Sequence, residues 1–246
     1  MEKPDDKYNF SYIIMLRSTR TFNQVIKRNK VTLPKLNWEF NELEPYILGK
    51  INELHYTKHH QTYVNGFNDA TSKLKELEVK LQTEERPLFV SQEINSLQQN
   101  LKFHSGGYIN HVLFWENLSP NMEKSTNGKG GIHSLNKNTA LYQLITKQYG
   151  SVDNLISAFK KSLMGVQGSG WSFLVYSPVS NSLEIVQTYN QDSVPVGKGV
   201  VLLAIDAWEH AYYLQYQNRK AEYFDAVWNV VNWEVVSGRL EKLIAK

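Results

Sequence analysis

The sequence contains no cysteine among its 246 residues. Disulfide bonds and cysteine-ligated metal sites are therefore excluded, and any metal site must use histidine, carboxylate or water ligands. The chain also lacks any apolar run near the roughly 18 residues that a membrane-spanning helix requires. These absences leave open whether the protein works in an oxidising or a reducing compartment.

A strong charge of one sign is also missing, because 27 basic and 24 acidic side chains give a formal net charge of only +3. Residues 1–30 hold seven basic and three acidic side chains, so the remaining 216 residues sum to −1. The folded part therefore has no net basic surface for nucleic acid. Hydrophobic residues make up 41% of the chain and charged residues 21%, which is typical of a globular protein of one or two domains.

The basic excess lies in an N-terminal extension, residues 1–30. From Met15 onward, MLRSTRTFNQVIKRNK has five basic residues, no acidic residue and several hydroxyl residues, a composition typical of a mitochondrial transit peptide. Acidic residues before Met15 weaken this signal, and initiation at Met15 would restore it. We expect delivery to the mitochondrial matrix with cleavage near Lys30. The alternative is an arm without an address on a cytoplasmic protein.

Residues 39–118 predict two antiparallel helices. In the first helix, apolar, histidine and tyrosine residues recur at every fourth position and fall on one stripe. The stripe consists of Ile47, Ile51, His55, His59 and Tyr63. The Asn-Gly-Phe sequence at 65–67 is expected to end this segment in a turn. The charged stretch 72–87 is typical of a solvated helix and loop, with Pro87 as its end.

The second helix has the cleaner pattern, with Ser91 as the expected N-cap. Its stripe alternates steps of three and four residues, as one face of an α-helix requires. The stripe consists of Ile94, Leu97, Leu101, His104, Tyr108, His111 and Trp115. The two stripes are expected to face each other.

The second half of the chain mixes helices and strands. Two short helices are expected on either side of Gly150, and three strands follow, the first two joined by a polar turn. The predicted helices are 139–149, 152–163, 208–217 and 221–235, and the predicted strands are WSFLVYSP, SLEIVQTYNQ and VVLLAI. The loop GVQGSGW has neither the spacing nor the lysine of a phosphate-binding loop.

An aspartate and three histidines occupy apolar or aromatic positions on three separate segments: His55, His111, Asp206 and His210. A buried carboxylate needs a partner, and a metal ion is the strongest one. Three imidazoles and one carboxylate suit manganese, iron or zinc. The pattern does not choose between His55 and His59, nor between His104 and His111. The latter two lie roughly 10.5 Å apart along a helix, so they cannot both bind one ion.

Five sequence blocks resemble the signature blocks of the iron/manganese superoxide dismutases. The blocks are LHYTKHHQTYVNGFN, GGYINHVLFWENLSP, GVQGSGW, TYNQD and DAWEHAYYLQY. They occur in order between about Val31 and the C-terminal region, and the segments KVTLPKLNW and INELHYTKHHQTYVNGFN resemble the fungal manganese members most. The resemblance implies an α+β fold, with an antiparallel helical hairpin in residues 31–120. An α/β domain with a three-stranded antiparallel sheet is expected in residues 121–246.

The resemblance also implies the metal site and the reaction. One manganese ion per subunit would be held by His55, His111, Asp206 and His210, with water or hydroxide in a fifth position. The substrates would be superoxide and protons. Dioxygen and hydrogen peroxide would form as the metal alternates between Mn(III) and Mn(II).

Further residues receive roles from the same resemblance. Gln191 is expected to hydrogen-bond the bound solvent, and Tyr63 to link Gln191 to His59 and outside water in a proton relay. Three tryptophans are expected to wall the site: Trp115, Trp171 and Trp208. Lys58 is expected to attract the anionic substrate.

The assembly expected from the resemblance is a homodimer or a homotetramer. Glu209 is expected to bond across a dimer interface to His210 of the partner subunit, and Tyr213 to lie near the same interface. The helical hairpin is where tetramers of the family form. No nucleic acid or membrane partner is expected.

The choice of manganese over iron depends on one position. Iron-type members carry their solvent-bonding glutamine four residues before the second histidine ligand, where this chain has Gly107. Two rival interpretations fit less well. A non-haem iron oxygenase needs only two histidines and one carboxylate, and a non-enzymatic metal-binding relative would be expected to lose a ligand or Gln191.

Overall fold

The structure is a computed structural model that describes residues 30–83 and 87–245. Apart from Lys30, the predicted N-terminal extension lies outside the described residues. Every element below belongs to the unit that begins at Thr32. Within the described residues, no helix combines the length and the apolar character that a membrane span requires.

The predicted helical hairpin is present. After a 3₁₀ turn at Phe40–Leu43, helix α1 (Gly49–Leu54), a π-helical segment (His55–His60) and helix α2 (Gln61–Thr83) follow one another without a break. Helix α3 (Pro87–Glu116) packs along α2. The inward faces of both helices bury apolar residues such as Ile51, Leu77 and Phe114.

Two details predicted for the hairpin are wrong, the turn at residues 65–67 and the N-cap at Ser91. Residues 65–67 form no turn, because they lie inside α2, where Gly66 lets α3 approach. A Cβ at position 66 would lie 2.4 Å from the His104 ring. The charged stretch ends at Pro87 as predicted, and Pro87 begins α3, which suits a residue without an N–H to offer. Ser91 is not the N-cap, since it lies inside α3 and its Oγ donates to the Pro87 carbonyl at 2.9 Å.

Two short helices follow, as the sequence predicted. Helix α4 (Ala140–Tyr149) and helix α5 (Val152–Gly165) are separated by Gly150 and Ser151. Side-chain caps fix both starts, because Thr139 accepts from the Tyr142 N–H and Ser151 accepts from the Asn154 N–H. Both helices pack against strand β2 (Ser182–Tyr189).

The sheet has three antiparallel strands in the order β2-β1-β3. Strand β1 (Gly170–Ser177) is central and almost completely buried, and strand β3 (Val200–Asp206) ends at a buried carboxylate. The register places Trp171 opposite Asp206. One end of the sheet thus brings an indole and a carboxylate together. The predicted α+β fold is confirmed.

The C-terminal region differs from its prediction. Residues 208–217 form a 3₁₀ turn (Glu209–Ala211) and one turn of helix, α6 (Tyr213–Tyr216). A single helix at 221–235 is wrong, because backbone bonds from Ser119 and Gly131 to the carbonyls of Val230 and Val231 interrupt it. The elements are α7 (Lys220–Ala226), a 3₁₀ turn (Val227–Asn229) and α8 (Trp233–Ile244), whose N-cap is Asn232. Further 3₁₀ turns lie at Ile132–Ser134 and Val196–Lys198.

Candidate metal centre

Four side chains from separate parts of the chain converge at one point: His55, His111, Asp206 and His210. Their potential ligand atoms all lie within 4.8 Å of one another. Oδ2 of Asp206 is 3.1 Å from Nε2 of His55, 3.9 Å from Nε2 of His111 and 3.1 Å from Nε2 of His210. The first three residues are buried, and the His210 side chain is 11% exposed.

The π-helical segment decides which histidine of the first helix faces this cluster. Its hydrogen bonds run from residue i to i+5, which inserts one residue into the helical repeat. His55 and His60 are therefore both buried, although five residues in an α-helix would separate them by roughly 140°. His59 is displaced to the surface, and its ring stacks on His210 at 4.2 Å. Between His55 and His59, only His55 belongs to the cluster.

On the second helix, His111 and not His104 reaches the cluster. Nδ1 of His111 donates to the Gly107 carbonyl at 2.7 Å, which fixes its tautomer and leaves the Nε2 lone pair for a ligand bond. Nε2 of His55 and Nε2 of His111 are buried without a hydrogen-bond partner among the described residues. Unpartnered buried acceptors are costly. Three imidazole nitrogens around one carboxylate thus fit a first-row metal ion such as manganese or iron.

The protonation states of these side chains also favour metal binding. Burial lowers the pKa of His55 to about 4, and the Asp206 carboxylate, whose Oδ2 lies 3.1 Å from Nε2, compensates for only part of this effect. Burial likewise holds the pKa of His111 well below its usual value. Burial alone would raise the pKa of Asp206, but His210 and His55 outweigh it by charge and hydrogen bonding and keep that pKa low. Neutral imidazoles and an ionised carboxylate are the forms that bind a metal.

Gln191 and Tyr63 meet beside the cluster. Nε2 of Gln191 donates to the Tyr63 hydroxyl at 3.1 Å, and Oε1 of Gln191 accepts from Nε1 of Trp171 at 3.1 Å. Asn110 on α3 holds the backbone there, because Nδ2 lies 3.3 Å from the carbonyls of both Gln191 and Asp192. Burial raises the pKa of Tyr63 to about 12, and the charge of Asp206 adds to the effect. The phenol therefore keeps its proton at neutral pH.

The predicted proton relay runs from Gln191 through Tyr63 to His59. Among the hydrogen bonds of the described residues, none joins the side chains of Tyr63 and His59. His59 instead lies with its ring on His210, at an interplanar angle of 17°. Partial burial and the neighbouring His210 lower the pKa of His59. A relay between the two side chains needs an intervening water.

The three expected tryptophans surround the cluster. Trp115 lies 4.8 Å from the ring of His55, Trp171 lies 5.1 Å from that of His111, and Trp208 lies 5.3 Å from that of His210. Nε1 of Trp208 donates to the Asn190 carbonyl at 2.9 Å. These rings form apolar walls around the histidine rings.

The residues expected at the surface are there. Lys58, Glu209 and Tyr213 are exposed, Tyr213 by 49%. Glu209 directly precedes His210 and is accessible to another molecule. Sequence reasoning overlooked His60, which is completely buried and accepts a hydrogen bond on Nδ1 from Nε1 of Trp115 at 3.1 Å. The paired histidines at 59 and 60 were the only signal, and the regular four-residue stripe pointed to the other one.

Comparisons with known proteins agree with this geometry. The family model "Iron/manganese superoxide dismutases, alpha-hairpin domain" matches residues 30–119, and the model of the C-terminal domain of the same enzymes matches residues 137–239. The mitochondrial superoxide dismutase [Mn] of Saccharomyces cerevisiae is 55% identical over 217 residues, which cover 87% of this chain and 88% of the relative. A probable mitochondrial superoxide dismutase [Mn] of Debaryomyces hansenii is 51% identical over 215 residues, 87% of this chain and 95% of the relative.

A bacterial relative extends the similarity beyond fungi. The superoxide dismutase [Mn] of Mycolicibacterium smegmatis is 42% identical over 216 residues, again 87% of this chain and 95% of the relative. Both halves of the described fold are therefore matched, together with the segments that carry the four clustered side chains. The chain belongs to the iron/manganese superoxide dismutase family.

Proposed function

We propose that the protein is a manganese superoxide dismutase, an oxidoreductase that converts superoxide to dioxygen and hydrogen peroxide. The observation that carries the proposal is the buried cluster in which three Nε2 atoms lie within 3.9 Å of one Asp206 oxygen. The names of the fungal and mycobacterial relatives specify manganese. One manganese ion per subunit would be held by His55, His111, Asp206 and His210.

The side chains of the site divide the work. A bound manganese ion supplies alternating one-electron reduction and oxidation between Mn(III) and Mn(II). The four clustered side chains would hold the ion, and the hydrogen bond from Nδ1 of His111 to the Gly107 carbonyl keeps that ring oriented for it. The walls formed by Trp115 and Trp171 keep the site dry, which strengthens every electrostatic interaction inside it.

Protons reach the site through Tyr63 and Gln191. Peroxide formation consumes two protons, and a phenol that stays protonated at neutral pH can donate one from beside the site. The hydrogen bond from Gln191 orients that phenol. The second N–H of the Gln191 amide could donate to a solvent molecule bound at the site. His59, at the surface, would return protons to Tyr63 through water.

Exposed residues near the site also have roles in this proposal. Lys58 would raise the local concentration of the anionic substrate, an effect that salt weakens. Glu209 would bond across a homodimer interface to the partner's His210, with Tyr213 at the same interface. A homotetramer would form through the helical hairpin. The domain boundaries 31–120 and 121–246 are part of this proposal.

A location in the mitochondrial matrix follows from the composition of the N-terminal extension and from the mitochondrial relatives. We expect the native protein from the mitochondrial matrix to begin near Lys30, with translation starting in effect at Met15. N-terminal sequencing of the protein purified from fractionated cells measures this directly. A cytosolic protein that begins at or near Met1 would contradict the assignment.

A direct assay tests the proposed activity. Protein loaded with manganese, with its metal content measured, is mixed with superoxide, and the decay of superoxide is followed by its ultraviolet absorption. We expect decay at a rate proportional to bound manganese and two superoxide ions consumed per peroxide formed. Fully loaded protein that leaves the uncatalysed decay unchanged would refute the proposal and favour a metal-binding role without catalysis.

A further inference from the structure

His60 contacts both His111 and Trp115 but is not one of the four clustered residues. Its side chain is completely buried, which is unusual for a histidine that has no charged partner. Nδ1 accepts a hydrogen bond from Nε1 of Trp115 at 3.1 Å. An indole nitrogen can only donate, so Nδ1 of His60 must be unprotonated and the ring hydrogen must be on Nε2. The neighbouring indole thus fixes the tautomer.

The same ring supports a candidate ligand. The rings of His60 and His111 stack with their centroids 5.2 Å apart and their planes 18° apart. Tyr63 lies 5.1 Å from the His111 ring at an angle of 33°. The Nδ1 bond to Gly107 prevents the His111 ring from flipping, and these aromatic contacts limit its tilt.

Trp115 carries the influence of His60 to a second ligand. The indole lies 4.8 Å from the His55 ring at 66°, in an edge-to-face arrangement. Its orientation about that ring is set at one end by the bond to His60. One buried histidine is therefore in contact with one ligand ring directly and with another through a tryptophan.

We propose that His60 is a positioning residue, which orients His111 by stacking and orients His55 through its hydrogen bond with Trp115. This inference rests on the proposed function only in taking His55 and His111 as manganese ligands. Residues outside the ligand set that orient metal ligands typically change metal affinity by about 10- to 100-fold when they are replaced. The π-helical segment makes this arrangement possible, because it turns both His55 and His60 inward.

Two substitutions separate the hydrogen bond from the volume of the ring. His60→Leu fills much of the space but removes the acceptor. His60→Asn keeps an acceptor, since its Oδ1 is attached to Cγ just as Nδ1 is in histidine. Leu141→Ala, in the buried face of α4, serves as a control that destabilises the fold at an element without candidate ligands.

The readouts are the rate at which manganese is released to a chelator and the EPR spectrum of bound Mn(II), which reports ligand geometry. We expect His60→Leu to release manganese about 10- to 100-fold faster than wild type with an altered spectrum. His60→Asn is expected to restore most of both properties, and Leu141→Ala to leave the spectrum unchanged. Wild-type behaviour of His60→Leu, or equal defects in the leucine and asparagine variants, would overturn the inference.

Trp115→Phe provides a second test if His60→Leu does not fold. It removes the same hydrogen bond from the donor side, so the spectrum should shift and release should accelerate while His60 is intact. An unchanged spectrum and release rate in Trp115→Phe would also overturn the inference. Neither readout uses superoxide. If the wild-type protein retained manganese but did not dismutate superoxide, the proposed function would be refuted. The release rates and spectra of the variants would still decide the role of His60.

Discussion

We expect His111→Ala to lose nearly all bound manganese and nearly all dismutase activity, whereas His104→Ala keeps both. His111 is buried with its Nε2 facing Asp206 at 3.9 Å, and His104 lies two helical turns away against Gly66. In structural zinc sites four ligands share roughly 10–16 kcal/mol of binding free energy, so by analogy the loss of one ligand here corresponds to roughly 100-fold weaker binding. Metal analysis after dialysis against a chelator measures the difference.

The two substitutions are matched because both replace a histidine by alanine inside α3. The change in helix propensity is therefore the same for both. Unfolding of the metal-free variants in urea shows how much of any loss reflects the cavity left by the imidazole. Equal manganese loss in both variants, at equal stability of the metal-free proteins, would contradict the assignment of His111 as a ligand.

Local pattern predicted the helices because each has a period that the sequence displays. The hairpin and the two short helices around Gly150 follow from such periods, whereas the strands follow from short apolar runs between turn residues. Tertiary contacts overrode local signals at two places. Gly66 has the neighbours of a turn residue, but it serves the close packing of two helices. The backbone bonds to Val230 and Val231 interrupt a stretch whose residues favour helix.

The sequence pattern predicted the metal site only in part. The abrupt end of an apolar strand in Asp206 suggested a buried carboxylate with a strong partner, and the structure places three imidazoles around it. Spacing could not choose His55 over His59, because one inserted residue in the π-helical segment changes the face of every residue that follows. For the same reason, spacing concealed His60. The pairing of Tyr63 with Gln191, 128 residues apart, came from family resemblance and from no periodicity.

The second large prediction concerns which metal gives activity. It depends on the position of the Gln191 amide. A glutamine side chain at position 107, where iron-type members have theirs, would collide with Tyr63, since a Cβ there would lie 2.4 Å from Cδ1 of that ring. Gln191 instead approaches from the end of β2 and is held by Trp171, Tyr63 and the contacts of Asn110 with its backbone. Its remaining N–H points to a role in hydrogen bonding the solvent of the site. A close N–H donor stabilises hydroxide in the site more than it stabilises water. It would therefore favour the oxidised, hydroxide-bound state and lower the reduction potential.

We therefore expect high activity with manganese and at least about tenfold lower activity with iron, although both ions suit the ligands. With the same ligands, Mn(III) is a stronger oxidant than Fe(III), so manganese requires a large lowering of its potential. The same lowering takes iron below the range in which superoxide reduces it, and each 59 mV changes a one-electron equilibrium tenfold. Metal-free protein is reconstituted with each ion separately and assayed at matched occupancy and neutral pH.

Two variants identify the cause of the preference. Gln191→Ala removes the donor, so the ratio of iron to manganese activity should rise even as manganese activity falls. Gln187→Ala is the control, because that residue lies on β2, four residues before Gln191, but its amide donates to the Ser162 carbonyl. The control should keep the wild-type ratio. Equal activity of the wild-type protein with both metals would refute the tuning by Gln191, while the fold and the four-residue cluster would stand.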